Sequence, residues 1–166
     1  SADFDSTKGS QIILPKNVRS LQIKNYGSAY EARNINITHC TNLEELTLIG
    51  IMLPLYEIAN CTNLKKLIIS EYYAKIHKNK VNIMSISNIT HLELCNVLCI
   101  NNDDIMNMPK LETLHIACVT SIRILGHVEQ TMNVFPNLKY VNLENLNDIV
   151  YIDCTSLPNT VNIIKK

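Results

Sequence analysis

An apolar ladder runs through this 166-residue chain and limits its fold more than any other feature. Its unit is an apolar residue, two spacers, a second apolar residue, one spacer and a third. The full rungs are Val18, Leu21, Ile23; Leu43, Leu46, Leu48; Leu64, Leu67, Ile69; Ile89, Leu92, Leu94; Leu111, Leu114, Ile116; and Leu138, Val141, Leu143. A shorter rung, Val161 and Ile164, ends the series. The steps average about 24 residues, a period at which repeated units stack side by side. Within a rung, Leu46-Thr47-Leu48 alternates as a strand does, sending the leucines to one face and Thr47 to the other. The apolar residue three positions earlier anchors the turn that enters the strand. One such coil cannot bury its own apolar side, whereas stacked coils bury one another's and share a core.

The residues around the anchors carry a family resemblance. The segments Cys40-Thr41-Asn42-Leu43-Glu44-Glu45-Leu46-Thr47-Leu48 and Cys61-Thr62-Asn63-Leu64-Lys65-Lys66-Leu67-Ile68-Ile69 resemble leucine-rich repeats with a cysteine before the anchor. Met108-Pro109-Lys110-Leu111 and Phe135-Pro136-Asn137-Leu138 resemble the same junction with proline in the entry. Leu94-Cys95-Asn96 followed by Asp103-Asp104-Ile105 is similar to the cysteine-containing repeats of F-box-type receptors. Leu14-Pro15-Lys16-Asn17-Val18 and Leu157-Pro158-Asn159-Thr160-Val161 are similar to BspA-like surface-antigen repeats. The resemblance spans residues 14–164. It implies an α/β fold: a curved solenoid with about seven parallel strands on its concave face and short helices and turns on its convex face. An F-box-type protein would be an intracellular adaptor and a BspA-like one an exported surface protein; an intracellular place is the favoured expectation.

The connections follow from this frame. Residues 101–108 read as a short helix, with Asn as N-cap and the carboxylates of Asp103 and Asp104 at the positive end of its dipole. Segments 28–33, 55–60 and 120–135 are further helix expectations, and residues 74–87 read as an irregular loop. Residues 1–10, polar and without a rung, are expected to be a flexible N-terminal tail, leaving 11–166 as one repeat domain.

Composition removes several classes of function. Fifteen basic and fifteen acidic side chains balance to a net charge of zero, which argues against a nucleic-acid partner or an anionic membrane. No apolar run approaches the roughly 20 residues of a membrane span. The four glycines lie far apart, so no phosphate-cradling loop is present. No serine sits in a nucleophile elbow and no pair of acids is placed in an apolar cleft, so no enzymatic activity is expected. Of the cysteines, Cys40 and Cys61 hold equivalent positions in adjacent coils and read as small apolar core groups. A disulfide between them needs converging Cβ atoms. Cys95 and Cys99 lack the second pair that a zinc set would require, and Cys118 and Cys154 add none. Three glycosylation-type triplets begin at Asn36, Asn60 and Asn88, a number that so asparagine-rich a chain reaches by chance.

The strand spacers are the residues expected to face a partner. Glu44 and Glu45 should lie beside Lys65 and Lys66, because parallel strands run about 4.8 Å apart. Ile68, His91, Glu93, Glu112, His115, Lys139 and Tyr140 complete the expected partner-binding set. His91, Glu93 and His115 are the only spacers with a metal-binding flavour, and ordinary solvated side chains are the expectation there, with no cofactor. The residues therefore point to a non-enzymatic module presenting its concave face to another protein. Self-association through the solenoid ends is the alternative, and a metal-dependent hydrolase at His91, Glu93 and His115 a weaker one.

Overall fold

The computed structural model describes residues 2–5, 12–24, 35–50, 58, 60–70, 88–96, 100–101, 108–117, 122–123, 136–144 and 161–165. Its strands are β1 (Ala2–Asp5), β2 (Ile12–Ile13), β3 (Ser20–Lys24), β4 (Ile35–Asn36), β5 (Glu45–Ile49), β6 (Lys66–Ser70), β7 (His91–Cys95), β8 (Ile100–Asn101), β9 (Thr113–Ala117), β10 (Ile122–Arg123), β11 (Tyr140–Glu144) and β12 (Asn162–Lys165). One open sheet holds eight of them in the order β1-β3-β5-β6-β7-β9-β11-β12, with each neighbouring pair parallel. Sheet order follows chain order, so the chain returns after every strand and adds the next on the same side. That is a solenoid-like path, and the core lies against one face of the sheet.

The apolar rungs coincide with the sheet register. Leu21, Leu46, Leu67, Leu92, Leu114 and Val141 are successive partners, and so are Ile23, Leu48, Ile69, Leu94, Ile116 and Leu143. The first row is buried throughout, as are the anchors Leu43, Leu64, Ile89, Leu111 and Leu138. Val18 and Ile69 are partly buried against the same core.

Each strand is entered through a short turn. The Leu43 amide donates to the Cys40 carbonyl at 3.0 Å, Leu64 to Cys61 at 2.9 Å and Leu111 to Met108 at 3.0 Å. The turn thereby places Cys40, Cys61 and Met108 in the core, all three buried. Cys40 and Cys61 are unbridged thiols, as expected of core groups; Cys99, Cys118 and Cys154 lie outside the described residues. Burial pushes the Cys40 thiol up, which keeps it protonated and unreactive. At the strand entry one carbonyl serves two amides of the next coil. Glu44 oxygen accepts from Lys65 at 2.8 Å and Lys66 at 3.0 Å, and Lys65 oxygen accepts from Thr90 at 2.8 Å and His91 at 3.0 Å.

Asparagines stitch the same turns from outside. Asn63 Nδ2 donates to the Thr41 carbonyl at 2.8 Å, Asn88 Nδ2 to Thr62 at 2.5 Å, and Asn137 Nδ2 to Pro109 at 2.8 Å. Each sits immediately before an anchor. Where lysine replaces asparagine, Lys110 Nζ donates to Asn88 Oδ1 at 2.6 Å and continues the ladder. Gly50 and Asn96 follow β5 and β7 with φ of 63° and 52°. Glycine and asparagine tolerate this left-handed region best, and it turns the chain off the sheet.

Several expectations change. Ala2–Asp5 pairs with β3, from Ala2 opposite Leu21 to Asp5 opposite Lys24, instead of remaining a loose tail. The edge of a parallel sheet offers unpaired backbone groups to any extended segment, with no need of an apolar rung. The last rung is shifted by one: Ile163, not Ile164, stands opposite Val141. A buried face fixes register, and at this edge both isoleucines remain exposed. Ile122–Arg123 pairs with Ile100–Asn101 as two short parallel strands, where the sequence places the start of one helix and the cap of another. Ile12–Ile13 and Ile35–Asn36 pair in the same manner. Of segment 55–60, Ile58 is helical and buried. Residues 28–33, 74–87 and 102–107 and most of 120–135 lie outside the described residues. Among those described, no helix is long and apolar enough to cross a membrane.

Leu67 is fully buried between Leu46 and Leu92. Its replacement by Ala is expected to cost about 2–5 kcal/mol in denaturant unfolding. A loss below about 1 kcal/mol would show that the rungs do not form the core.

Candidate functional site

The face of the sheet opposite the leucines carries the chain's chemistry. Because side chains alternate along a strand, every spacer that precedes or separates the buried residues emerges there. The residues singled out from the sequence, Glu44, Glu45, Lys65, Lys66, Ile68, His91, Glu93, Glu112, His115, Lys139 and Tyr140, are all exposed or half-buried, and none enters the core. The register sorts them into rows across the strands.

The row at the strand entry is ionic. Glu44 lies between Lys65, at 3.2 Å, and Arg19, at 3.9 Å, and Lys139 Nζ meets Glu112 Oε2 at 2.9 Å. These exposed pairs are worth roughly 0–1 kcal/mol each and serve mainly to fix side-chain directions. In the next row Glu45 stands opposite Lys66 in register, while its carboxylate accepts from the Ser20 hydroxyl at 3.2 Å. Tyr140 is 51% exposed in that row, beside Thr113. Thr47, Ile68, Glu93, His115 and Asn142 form the row beyond it, all half-buried.

Among the described residues, Glu93 is the centre of a cluster of titratable side chains. Its Oε2 lies 3.8 Å from His91 Nε2 and its Oε1 3.7 Å from His115 Nδ1. The Cys95 thiol donates a hydrogen bond to the same Oε1 at 3.6 Å. Glu93 and Cys95 are two apart on β7 and share a face, and β9 places His115 directly opposite Glu93. On the far side, His115 Nε2 faces Glu144 Oε2 at 3.9 Å, and the other Glu144 oxygen accepts from Asn142 Nδ2 at 3.0 Å. The ligand-type atoms of Glu93, Cys95 and His115 lie within 4.8 Å of one another. The sequence grouped His91 with Glu93 and His115; the structure adds Cys95 and Glu144 and leaves His91 on the opposite side of Glu93. The period-2 spacing of Glu93 and Cys95 was the available signal. Glu144 required the register of β11 to be known.

His91 is held below its ordinary pKa, first by burial and then by Lys66 opposite it and by His115, against the pull of Glu93. A histidine whose folded pKa is depressed supports stability above its unfolded value of about 6.5, and that support is lost as pH falls towards the folded value. The His91 imidazole followed by NMR is therefore expected to titrate below about 6.5, and an upward shift would refute this environment. No protein-family model matches the chain, and no curated protein matches it.

Proposed function

We propose that the chain is a non-enzymatic protein-binding module of leucine-rich-repeat type whose partner lies across the open face of the sheet. The observation that carries this reading is Tyr140, a large side chain 51% exposed on a face where neighbouring strands hold every other group in rows. A tyrosine couples apolar area to a polar tip and is enriched among residues that dominate binding energy. Strand-mounted side chains also lose little freedom on association, which leaves more of the contact energy as affinity. The ionic row of Arg19, Glu44, Lys65, Glu112 and Lys139 would flank that anchor and steer the approach of a charged partner.

Replacement of Tyr140 by Ala is expected to change stability by about 0.5 kcal/mol or less. The same change should weaken the complex with a partner isolated from the native source by at least about 1 kcal/mol. Lys65→Ala and Glu112→Ala should act mainly on association rate and its salt dependence. Equal binding by all three variants and the parent protein would move the binding surface away from this face.

A second reading has its own observation. Ile163 and Ile164 on the edge strand β12 are 37% and 48% exposed. Self-association through this edge would cover them and extend the sheet by strand pairing. Sedimentation is then expected to show a concentration-dependent dimer that Ile164→Asp abolishes; a monomer at all concentrations would rule this reading out.

A further inference from the structure

We propose that Glu93, Cys95 and His115 form a binding site for a divalent transition-metal ion of the zinc type on the exposed face of the sheet, with Glu144 orienting the histidine. This inference does not depend on the protein-binding reading.

The distances carry the argument. His115 Nδ1 and Glu93 Oε1 are 3.7 Å apart, and the Cys95 thiol donates a hydrogen bond to the same oxygen at 3.6 Å. A nitrogen–oxygen hydrogen bond needs about 2.7–3.2 Å, so the His115–Glu93 contact is too long to be one. Two ligands on one tetrahedral zinc ion, with metal bonds of about 2.0–2.3 Å, are separated by about 3.3–3.6 Å. The two contacts are close to such edges, and the three ligand atoms already fall within 4.8 Å of one another.

The orientation of the histidine is a second, separate observation. His115 Nε2 is buried without a hydrogen-bond partner, and it faces the Glu144 carboxylate at 3.9 Å. A proton on Nε2 lies on the Glu144 side, beyond hydrogen-bond reach until ring and carboxylate close by about 0.7 Å, and it leaves the Nδ1 lone pair for the Glu93 and Cys95 side. A carboxylate behind a metal-binding imidazole is the common arrangement that fixes its tautomer and raises its basicity. Glu144 is itself held by Asn142. Between Cys95 and Glu144 in the register stands Ala117, a small side chain that is itself buried.

The donor set selects the class of ion. Thiolate and imidazole together favour zinc and its neighbours over magnesium or calcium, which take oxygen ligands. Binding requires the Cys95 thiol to release its proton to solvent as the sulfur–metal bond forms, while the Glu93 carboxylate and the neutral His115 lone pair bind without proton loss.

Cobalt(II) provides the test. The full chain, prepared without a metal-affinity step and stripped with chelator, is titrated with cobalt under reducing conditions. The expected result is saturation at one equivalent with a sulfur-to-cobalt charge-transfer absorption, reversed by added zinc. Cys95→Ser should abolish the absorption, whereas Cys99→Ser should keep it. His115→Ala should weaken binding at least tenfold, and Glu144→Gln should weaken it about 10–100-fold while the absorption persists. Circular dichroism of each stripped variant controls for folding; if Cys95→Ser does not fold, Glu93→Gln takes its place, with at least tenfold weaker binding expected. Absence of a one-equivalent absorption in the parent protein, or its survival in Cys95→Ser, would overturn the site. So would unchanged affinity in His115→Ala or Glu93→Gln.

Discussion

Leu46 is buried beside Leu21 and Leu67, its partners in register on the adjacent strands. That dependence of each rung on its neighbours underlies the whole sheet. It requires strands to be parallel and in register, and the shared carbonyls of Glu44 and Lys65 supply the backbone half of the requirement. Two amides on one acceptor pull successive strand entries together at the place where the anchors Leu64 and Ile89 turn into the core. Burial and hydrogen bonding thus select the same register, and each is weaker without the other. The exposed face inherits its order from this arrangement, since a residue one position from a buried leucine has no freedom to leave its row.

Much of this was legible in the residues. The spacing of Leu43, Leu46 and Leu48 specifies a strand and its buried face, and equivalent spacing in the next coil places Lys65 beside Glu44, where the structure finds the pair at 3.2 Å. Legibility failed where burial stops discriminating. Ile163 and Ile164 are both apolar, and at the edge nothing favours one of them over the other, so the periodic rule chose the wrong residue. The backbone pairing of Ala2–Asp5 with β3 leaves no pattern in side-chain hydropathy. Ile122 and Arg123 extend through a short pairing with β8 that propensity cannot anticipate.

The asparagines show a different kind of limit. Asn63, Asn88 and Asn137 each precede an anchor and each donate to the preceding turn. Their abundance elsewhere in the chain made the position uninformative as composition, although it is informative as alignment. The Glu93 cluster divides in the same way. Glu93 and Cys95 share a face by simple parity, whereas Glu144 reaches His115 only because β9 and β11 are neighbours, a fact of topology.

The steps between rungs have a consequence for how such a chain can change. Leu46 to Leu67 is the shortest step and Leu114 to Val141 the longest, yet both arrive at the same register in the sheet. Length variation is therefore absorbed wholly between strands, where a longer excursion costs only a slowly growing closure entropy. A single residue gained or lost between Leu46 and Leu48 would instead invert the faces of the strand beyond it, carrying Leu48 from the core to the exposed side. Insertions and deletions in this protein should thus be graded by position and not by size: several residues between Ser70 and Asn88 are a smaller perturbation than one residue within a strand.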